Sequence, residues 1–351
     1  MVTIGSDIHL KTSTMTVLDS NGQKIMQTKL DNHPDILREF VEQFSGPKQF
    51  AMEANYNWPA FYELLNPCVD EFHLLHAKKL ESIIDSQSKC DIHDADEIAH
   101  LTHIGYIPKA HTANIHTRQL RRLVRTRVQV AQYAASLKNK IHAIINANTF
   151  YSQRPQNFKD LFCKRGLLYL KDLSLPTQER FVVDQLLNHI QYLQRLKQSI
   201  EQQIQTIDLS PHRAQHLTTV PGMKGKVFRY IVLAEIDHIE RFKNPDRLIA
   251  YAGLAPRDKS SGGKLRKGHL RTDCNHYLQW AMIESTMIAL RQDPGLRQYY
   301  KELKQRLNPS AARIKIARKL LKAIYYVLKE QRPYYLFATA DSSRLSFTIS
   351  S

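Results

Sequence analysis

Two long runs of apolar residues at seven-residue spacing most constrain how this chain folds. Between Ile115 and Asn148 the repeat is carried by Leu123, Val130, Leu137 and Ile144, with Ala134 and Ile141 in between. Residues 178–207 repeat the pattern at Leu186, Leu193, Ile200 and Ile207, with Val182 and Leu196 in between. This period places the residues along one side of an α-helix. The sequence therefore predicts two long helices, which either pair as an antiparallel hairpin or assemble two copies of the chain.

Charge divides the chain into an acidic head and a basic body. The 351 residues carry a formal net charge of +17, yet residues 1–108 hold eight Lys and Arg against sixteen Asp and Glu. Residues 109–171 hold thirteen Lys and Arg and a single acid, Asp160. Such an excess of positive charge indicates a polyanionic partner, and nucleic acid is the leading candidate.

Several classes of protein are disfavoured by what the sequence lacks. It has no run of 18 apolar residues, and its first residues show no signal-peptide pattern, so we expect neither a membrane span nor secretion. The four cysteines lie far apart and without zinc-ligand spacing, at Cys68, Cys90, Cys163 and Cys274. This usage fits a reducing, cytoplasmic location.

The acidic head alternates strand and helix patterns and carries two acids at strand ends. Three apolar runs joined by short turns, a helix after Pro34, the strand QFAME, a second helix and the strand VDEFHLL give the order β-β-β-α-β-α-β. Asp7 ends the first strand and Glu53 ends the fourth. Because open α/β sheets place ligands at strand ends, these carboxylates are expected to converge at one edge.

A second pair of acids, Asp91 and Asp94, lies three residues apart at a predicted helix start, with Asp96 and Glu97 beside them. Four carboxylates at one place would suit Mg²⁺, which prefers hard oxygen ligands and supports phosphoryl transfer. The alternative is that acids at a helix N-terminus merely balance the helix dipole.

Basic side chains at three places in the basic body are candidate phosphate contacts. They are Arg118, Arg121, Arg122 and Arg125 at the start of the first long helix, Lys224 in a PGMKG turn, and Arg318 and Lys319 in a basic helix over residues 311–329. A solvated helix face and an ordinary turn between helices are the alternatives. The turn followed by an apolar helix resembles a helix-hairpin-helix, which offers backbone N–H groups to a phosphate.

The segment RDKSSGGKLRKGHLR is predicted to be a flexible basic loop. It contains Ser260 and Ser261 among the cations Arg257, Lys264, Arg266 and Lys267. A serine can attack phosphorus when cations stabilise its alkoxide and hold the strand in place. Taken alone, Ser-Ser-Gly-Gly is also typical of a linker.

Taken in order, SDIHLKT, AMEANYNW, KCDIHDADEIAHL, TVPGMKG, IERFKNPDRLIAYAGLAP and SSGG resemble the DEDD-type insertion-sequence transposases over about residues 3–330. That group includes bridge-RNA-guided serine recombinases and is related to Piv-type DNA invertases. The resemblance implies an α/β RuvC-like (ribonuclease H-like) N-terminal domain over residues 1–108. It further implies a basic coiled-coil region over 109–210, a mainly α transposase domain with a helix-hairpin-helix-like element over 211–332, and a tail over 333–351.

The resemblance also implies roles for individual residues. Asp7, Glu53, Asp91 and Asp94 fall on the family's four acidic, Mg²⁺-binding positions, and Ser261 falls on its nucleophilic serine, with Ser260 as a near rival. The implied activity is strand exchange between donor and target DNA through a covalent phosphoserine. A non-coding guide RNA and a homodimer that pairs into a tetramer are the implied partners.

Two residues differ from the family pattern, and two alternative functions stay open. Cys274 stands where the family usually has glycine, and Gln279 where arginine is common. A RuvC-like nuclease or junction resolvase without serine chemistry is one alternative function, and a non-catalytic nucleic-acid scaffold is the other.

Overall fold

The computed structural model describes residues 1–81, 91–149, 160–207, 215–261, 264–270 and 272–334. The chain divides into two compact units, Met1–Thr112 and Ala113–Ser351. The predicted tail falls almost wholly outside the described residues, as do Gly262 and Gly263. The predicted separation of a middle domain from a C-terminal domain stays a prediction.

The first unit is built on a five-stranded mixed sheet, and the predicted order of strands and helices is confirmed. Its strands are β1 (Val2–Ile8), β2 (Thr12–Leu18), β3 (Lys24–Asp31), β4 (Lys48–Glu53) and β5 (Glu71–Leu75), arranged β3-β2-β1-β4-β5. β1 pairs antiparallel with β2 and parallel with β4, and β4 pairs parallel with β5. The parallel pairs require crossover connections, and helices supply them.

Helices cover both faces of this sheet. One face packs against α1 (Pro34–Glu42) and α2 (Trp58–Leu65), where Phe40 and Phe61 join Ile4 and Phe50 in one apolar core. The other face carries α3 (Ala77–Glu81) and α4 (Asp91–His103), where Leu80 and Ile98 pack with Ala51 and Leu75. Successive strand residues point to opposite faces, which is why Phe50 and Ala51 belong to different cores.

The second unit begins with a long antiparallel helical hairpin. It consists of α5 (Ile115–Asn148) and α7 (Thr177–Thr206), with the short α6 (Lys164–Asp172) between them. Residues near the start of α5 pack with Ile200 and Ile204 near the end of α7, whereas Ile141 and Ile145 pack with Val183 near its start. The two predicted helices therefore pair with each other within one chain.

The register of the apolar stripe differs in detail from a strict seven-residue repeat. Val183 is buried, whereas Val182, which the repeat assigns to the seam, is exposed. An unsupercoiled α-helix has 3.6 residues per turn, so the buried stripe drifts across the heptad positions along 30 residues. The coiled-coil assignment itself stays a prediction.

The rest of the second unit is mainly helical, with a core centred on its last helix. The helices are α8 (Lys226–Ile236), α9 (Pro245–Tyr251), α10 (His276–Gln292), α11 (Pro294–Lys304) and α12 (Pro309–Glu330). Ile316, Leu320 and Ile324 of α12 share a core with Val232 and Leu278. Within the described ranges, no helix is both long enough and apolar enough to cross a membrane.

The segment predicted to be a flexible basic loop is a β-hairpin, so that prediction was wrong. β6 (Pro256–Ser261) pairs antiparallel with β7 (Lys264–Leu270), and Ser261 is paired with Lys264 at the end of the ladder. Gly, Ser and Lys are poor strand formers by side chain, but backbone hydrogen bonds form a ladder regardless of composition. From Arg257 onwards, only the backbone of these two strands is described.

Candidate functional site

Two of the four predicted acids lie side by side at the carboxyl edge of the sheet. Ser6 pairs with Met52 in the parallel ladder between β1 and β4, so Asp7 and Glu53 occupy the next position along each strand. Alternation places both on the face that carries Gly5 and Ala51. This is the face that α4 covers.

Helix α4 approaches β1 so closely that only glycine fits beneath it. A Cβ built on Gly5 would lie 2.3 Å from the backbone nitrogen of Ala99 and 2.7 Å from the carbonyl oxygen of Ala95. At the other end, a Cβ on Gly22 would lie 2.9 Å from His103 Nε2. Gly22 follows β2, whose last residue, Leu18, pairs with Thr3 near the start of β1. Helix α4 therefore runs antiparallel to β1.

This direction brings the remaining two predicted acids to the same edge. Asp91 and Asp94 lie in the first turn of α4, at the end that points towards Asp7 and Glu53. Asp94 is half-buried, and the side chain of Asp91 lies outside the described part of the structure. Among the side chains that are described, no three His, Cys, Asp or Glu residues form a metal-binding group. The donor set of four carboxylates nevertheless has the chemistry that Mg²⁺ prefers.

Asp96 is an anchor that fixes α4 to the sheet. Its Oδ1 accepts hydrogen bonds from Thr16 Oγ1 at 2.8 Å and from Gln27 Nε2 at 2.9 Å, and its Oδ2 lies 2.5 Å from Lys24 Nζ. These three partners belong to β2 and β3. Asp96 thus differs from its neighbour Asp94, because its carboxylate is already used to hold the helix.

The structure adds a residue that sequence reasoning missed. His9 Nε2 lies 3.1 Å from Asp7 Oδ2, and the carbonyl oxygen of His9 accepts hydrogen bonds from Asn32 at 2.8 Å and from Asn57 at 3.3 Å. Asn55 donates to the carbonyl oxygen of Ile8 at 3.0 Å. The loops after β1 and β4 are therefore fastened together next to Asp7. The spacing of two residues between Asp7 and His9 was the available signal.

The four arginines of α5 that were predicted to contact phosphate fall into two groups. Arg125 donates from Nε and Nη2 to the two carboxylate oxygens of Glu235, at 2.7 Å each, and Arg121 donates from Nε to the carbonyl oxygen of Ala234 at 2.7 Å. These two guanidinium groups are engaged inside the second unit. Arg118 donates to the carbonyl oxygen of Ala113 at 2.8 Å, and Arg122 is exposed.

The surroundings of Arg121 and Arg125 shift the pKa values of these two side chains in opposite directions. Hydrogen bonding to Glu235 raises the pKa of Arg125, whereas burial lowers the pKa of Arg121. Glu235 itself is fully buried, with 0% of its surface exposed. A buried carboxylate needs paired donors, and this chain supplies them from a helix that begins 120 residues earlier in the sequence.

The other basic residues that were predicted to contact phosphate differ in their exposure and in their contacts. Lys224 is exposed, two residues before the start of α8. Arg318 donates to the carbonyl oxygen of Leu254, and the ammonium of Lys319 lies 5.1 Å from the centre of the Tyr299 ring. Burial lowers the pKa of both Arg318 and Lys319. Arg257, Lys264, Arg266 and Lys267 lie on the two strands whose side chains are outside the described part.

Cys274 and Gln279, the two residues that depart from the family pattern, both lie close to Gly253. Gly253 has a φ of +64°, and a Cβ built on it would lie 2.4 Å from Cys274 Sγ and 2.9 Å from Gln279 Nε2. Gln279 Nε2 also donates to the carbonyl oxygen of Gly253 at 3.0 Å. Cys274 and Gln279 therefore lie against the same backbone turn, just before β6.

The arrangement of the first unit defines a class. A five-stranded mixed sheet with acidic residues at its carboxyl edge, followed along the chain by mostly helical regions, is compatible with a ribonuclease H-like N-terminal domain.

Comparison with known proteins identifies the family within that class. A model of DEDD transposases of the IS110 type matches residues 4–148, and a model described as "Transposase IS116/IS110/IS902 family" matches residues 214–301. Together these matches cover more than half of the chain. The chain belongs to the IS110/IS116 family of transposases.

Three relatives illustrate the similarity. An "Insertion element IS110 uncharacterized 43.6 kDa protein" of Streptomyces coelicolor is 27% identical over 42% of this chain and 37% of its own length. A "Probable family 20 transposase" of Pseudomonas aeruginosa is 21% identical over 70% of this chain and 74% of its own length. A "Pilin gene-inverting protein" of Moraxella bovis is 29% identical over 37% of this chain and 42% of its own length.

Proposed function

We propose that this protein is an insertion-sequence transposase that transfers phosphoryl groups of DNA at the carboxyl edge of the sheet. The observation that carries the proposal is the antiparallel approach of α4 to β1. It directs the helix start with Asp91 and Asp94 to the edge where Asp7 and Glu53 lie side by side. Family membership and the likeness to an insertion-element protein and a gene-inverting protein support the same conclusion.

In this proposal Asp7, Glu53, Asp91 and Asp94 hold Mg²⁺. When bound, the ion supplies Lewis-acid stabilisation of the charge that develops on phosphate oxygens. The chain's own residues provide the geometry. His9 is placed to hold the carboxylate of Asp7 in one orientation, and Asp96 keeps α4 in register with the sheet.

We propose further that Ser261 attacks the DNA, with Ser260 as the rival. The seryl oxygen forms a bond to phosphorus and gives up its proton, while the bond from phosphorus to a deoxyribose oxygen breaks and that oxygen leaves as a hydroxyl. In the backbone ladder Ser261 pairs with Lys264 at the end of β6, next to the turn of the hairpin. The resemblance to serine recombinases supports this step.

The partners in this proposal are donor DNA, target DNA and a non-coding guide RNA, with two dimers pairing into a tetramer. The net charge of +17 supports several polyanionic partners, because phosphate neutralisation scales with the number of basic contacts. The exposed Arg122 and Lys224 are the first candidates for such contacts.

The test combines the purified protein with Mg²⁺, RNA from the flank of the element, and donor and target DNA. Denatured products are resolved for a DNA strand that is covalently linked to protein. Wild type and Ser260→Ala should form the adduct, whereas Ser261→Ala and Asp7→Asn should not. An adduct that persists in Ser261→Ala but disappears in Ser260→Ala would move the nucleophile by one residue. Loss of RNA dependence would remove the guide RNA from the proposal.

A second candidate is a metal-dependent nuclease or junction resolvase without serine chemistry. It is favoured by the presence of all four acids in one compact unit, Met1–Thr112, without residues of the other. Free cleaved ends that are unchanged in Ser261→Ala and lost in Asp7→Asn would establish it. Full biological activity in Asp7→Ala would instead favour a non-catalytic scaffold.

A further inference from the structure

The fully buried Glu235 is the centre of a polar cluster in the second unit. Besides both nitrogens of Arg125, it accepts a hydrogen bond from Asn275 Nδ2 at 2.6 Å. Arg121 Nε lies 3.8 Å from the same carboxylate. These donors come from α5 and from the residue before α10, so the cluster joins distant parts of the sequence.

The same cluster fastens the two ends of the β6–β7 hairpin to each other. Tyr251 is the last residue of the helix before the hairpin, and Asn275 is the N-cap residue of the helix after it. The backbone nitrogen of Asn275 donates to the carbonyl oxygen of Tyr251 at 2.8 Å, and Asn275 Nδ2 donates to the Tyr251 hydroxyl at 2.8 Å. Gln279 adds its hydrogen bond to Gly253 at 3.0 Å. The base of the hairpin is therefore tied to a single buried carboxylate.

Arg125 connects the base of the hairpin to α5, the helix on which Arg125 lies. Its side chain is 40% exposed, its guanidinium group lies 4.9 Å from the centre of the Tyr277 ring, and it pairs with Glu235 through two parallel hydrogen bonds. Two such bonds fix orientation as well as distance. A rigid connection thus runs from α5 through Glu235 and Asn275 to the hairpin.

We infer that Glu235, Arg125 and Asn275 are positioning residues for the serine step. They hold the β6–β7 hairpin, and with it Ser261, at a fixed place relative to α5. This inference rests on the proposed function, because the hairpin matters in this way only if Ser261 reacts. None of the three residues needs to touch DNA for the role.

Asn275→Ser separates this role from a structural one. The Asn275 Oδ1 atom caps α10 by accepting from the backbone nitrogen of Leu278 at 2.9 Å, and serine caps helices equally well. Serine is too short to keep the hydrogen bonds to Glu235 and Tyr251. The variant should therefore retain α10 and release the hairpin. Gln129→Ala is the matched control, since Gln129 Nε2 donates to the Tyr277 hydroxyl at 3.1 Å, beside the cluster and not to Glu235 or Asn275.

Two measurements on the full-length protein test the inference. Backbone hydrogen exchange should accelerate in residues 256–270 of Asn275→Ser and stay at the wild-type rate in α10. The rate of adduct formation should fall by about 100-fold, the scale expected for a misplaced reacting group, with nucleic-acid affinity unchanged. Gln129→Ala should behave as wild type in both.

The outcomes distinguish this inference from the function on which it rests. Absence of an adduct in wild type refutes the serine step, while the exchange measurement still tests the hold on the hairpin. Wild-type exchange in residues 256–270, or equal acceleration in the hairpin and α10, overturns the inference. So does an adduct rate in Asn275→Ser equal to that of wild type.

Discussion

A single methyl group placed on Gly5 should displace the helix that carries half of the acidic site. The added Cβ of Gly5→Ala would lie 2.3 Å from the nitrogen and 2.6 Å from the Cα of Ala99, whereas ordinary contact begins at 3.4 Å. Both are backbone atoms, which cannot rotate away. Helix α4 must therefore move by about 1 Å, and overpacking of this kind costs about 3 kcal/mol, the upper end of its usual range.

The two tryptophans allow this cost to be measured in the full-length protein. Trp58 lies in the first unit, packed against its core, and Trp280 lies in the second. In a Trp280→Phe background, the fluorescence of Trp58 reports the urea unfolding of the first unit alone. At a slope of about 1.5 kcal/mol per molar urea, Gly5→Ala should lower the midpoint by about 2 M.

The same shift should weaken Mg²⁺ binding, because metal sites tolerate errors of only about 0.2 Å in ligand distance. Titration calorimetry of the full-length protein measures this effect. Gly5→Ala/Ala99→Gly should not recover stability, since the clash is with the backbone of Ala99 and not with its methyl group. A loss below about 0.5 kcal/mol, or rescue by the double variant, would refute the reasoning.

Three further outcomes follow from the contacts described above. Asp96→Ala should lower the stability of the first unit by about 1–2 kcal/mol in the same fluorescence assay, because the buried Thr16 hydroxyl and the half-buried Gln27 amide lose their acceptor; a change near zero would contradict its anchoring role. Burial lowers the pKa of His73 below the ordinary histidine value of 6.5, and this effect outweighs the negative charge of Glu71, which raises the pKa. The stability that His73 contributes should be complete above about pH 6.5 and lost as the pH falls through the folded pKa, so His73→Gln should flatten the pH dependence of the urea midpoint. Arg122→Gln should weaken DNA binding and reduce its salt slope by about 1, measured by fluorescence anisotropy, and Arg195→Gln on α7 serves as the charge-matched control.

Local patterns in the sequence were sufficient to predict most of the elements. The alternation in residues 2–31 predicted the first three strands, and the apolar spacing after Pro34 predicted α1. Both long helices were predicted nearly to the residue, since a repeat sustained over four heptads leaves little ambiguity. The order of the strands within the sheet was not predicted; the helices between β1, β4 and β5 fit their parallel pairing, because parallel strands need crossover connections.

What the sequence did not predict depends on contacts between distant residues. Arg125 was predicted to meet phosphate because its local surroundings are basic, but its partner Glu235 stands 110 residues further along the chain. The β6–β7 hairpin was missed because its composition is that of a linker, and its ends are held by Tyr251 and Asn275 outside the strands. Burial of a charge and closure of a hairpin are tertiary effects that no local pattern encodes.

Helix α5 is long enough for two of its cations to lie one turn of duplex DNA apart. At 1.5 Å per residue, its 34 residues extend for about 50 Å, and Arg118 and the exposed Lys140 stand about 33 Å apart on nearly the same face. One turn of duplex DNA measures about 34 Å. A duplex aligned with α5 would present the same groove edge to both side chains, because the distance between these two cations is close to the length of one turn of DNA.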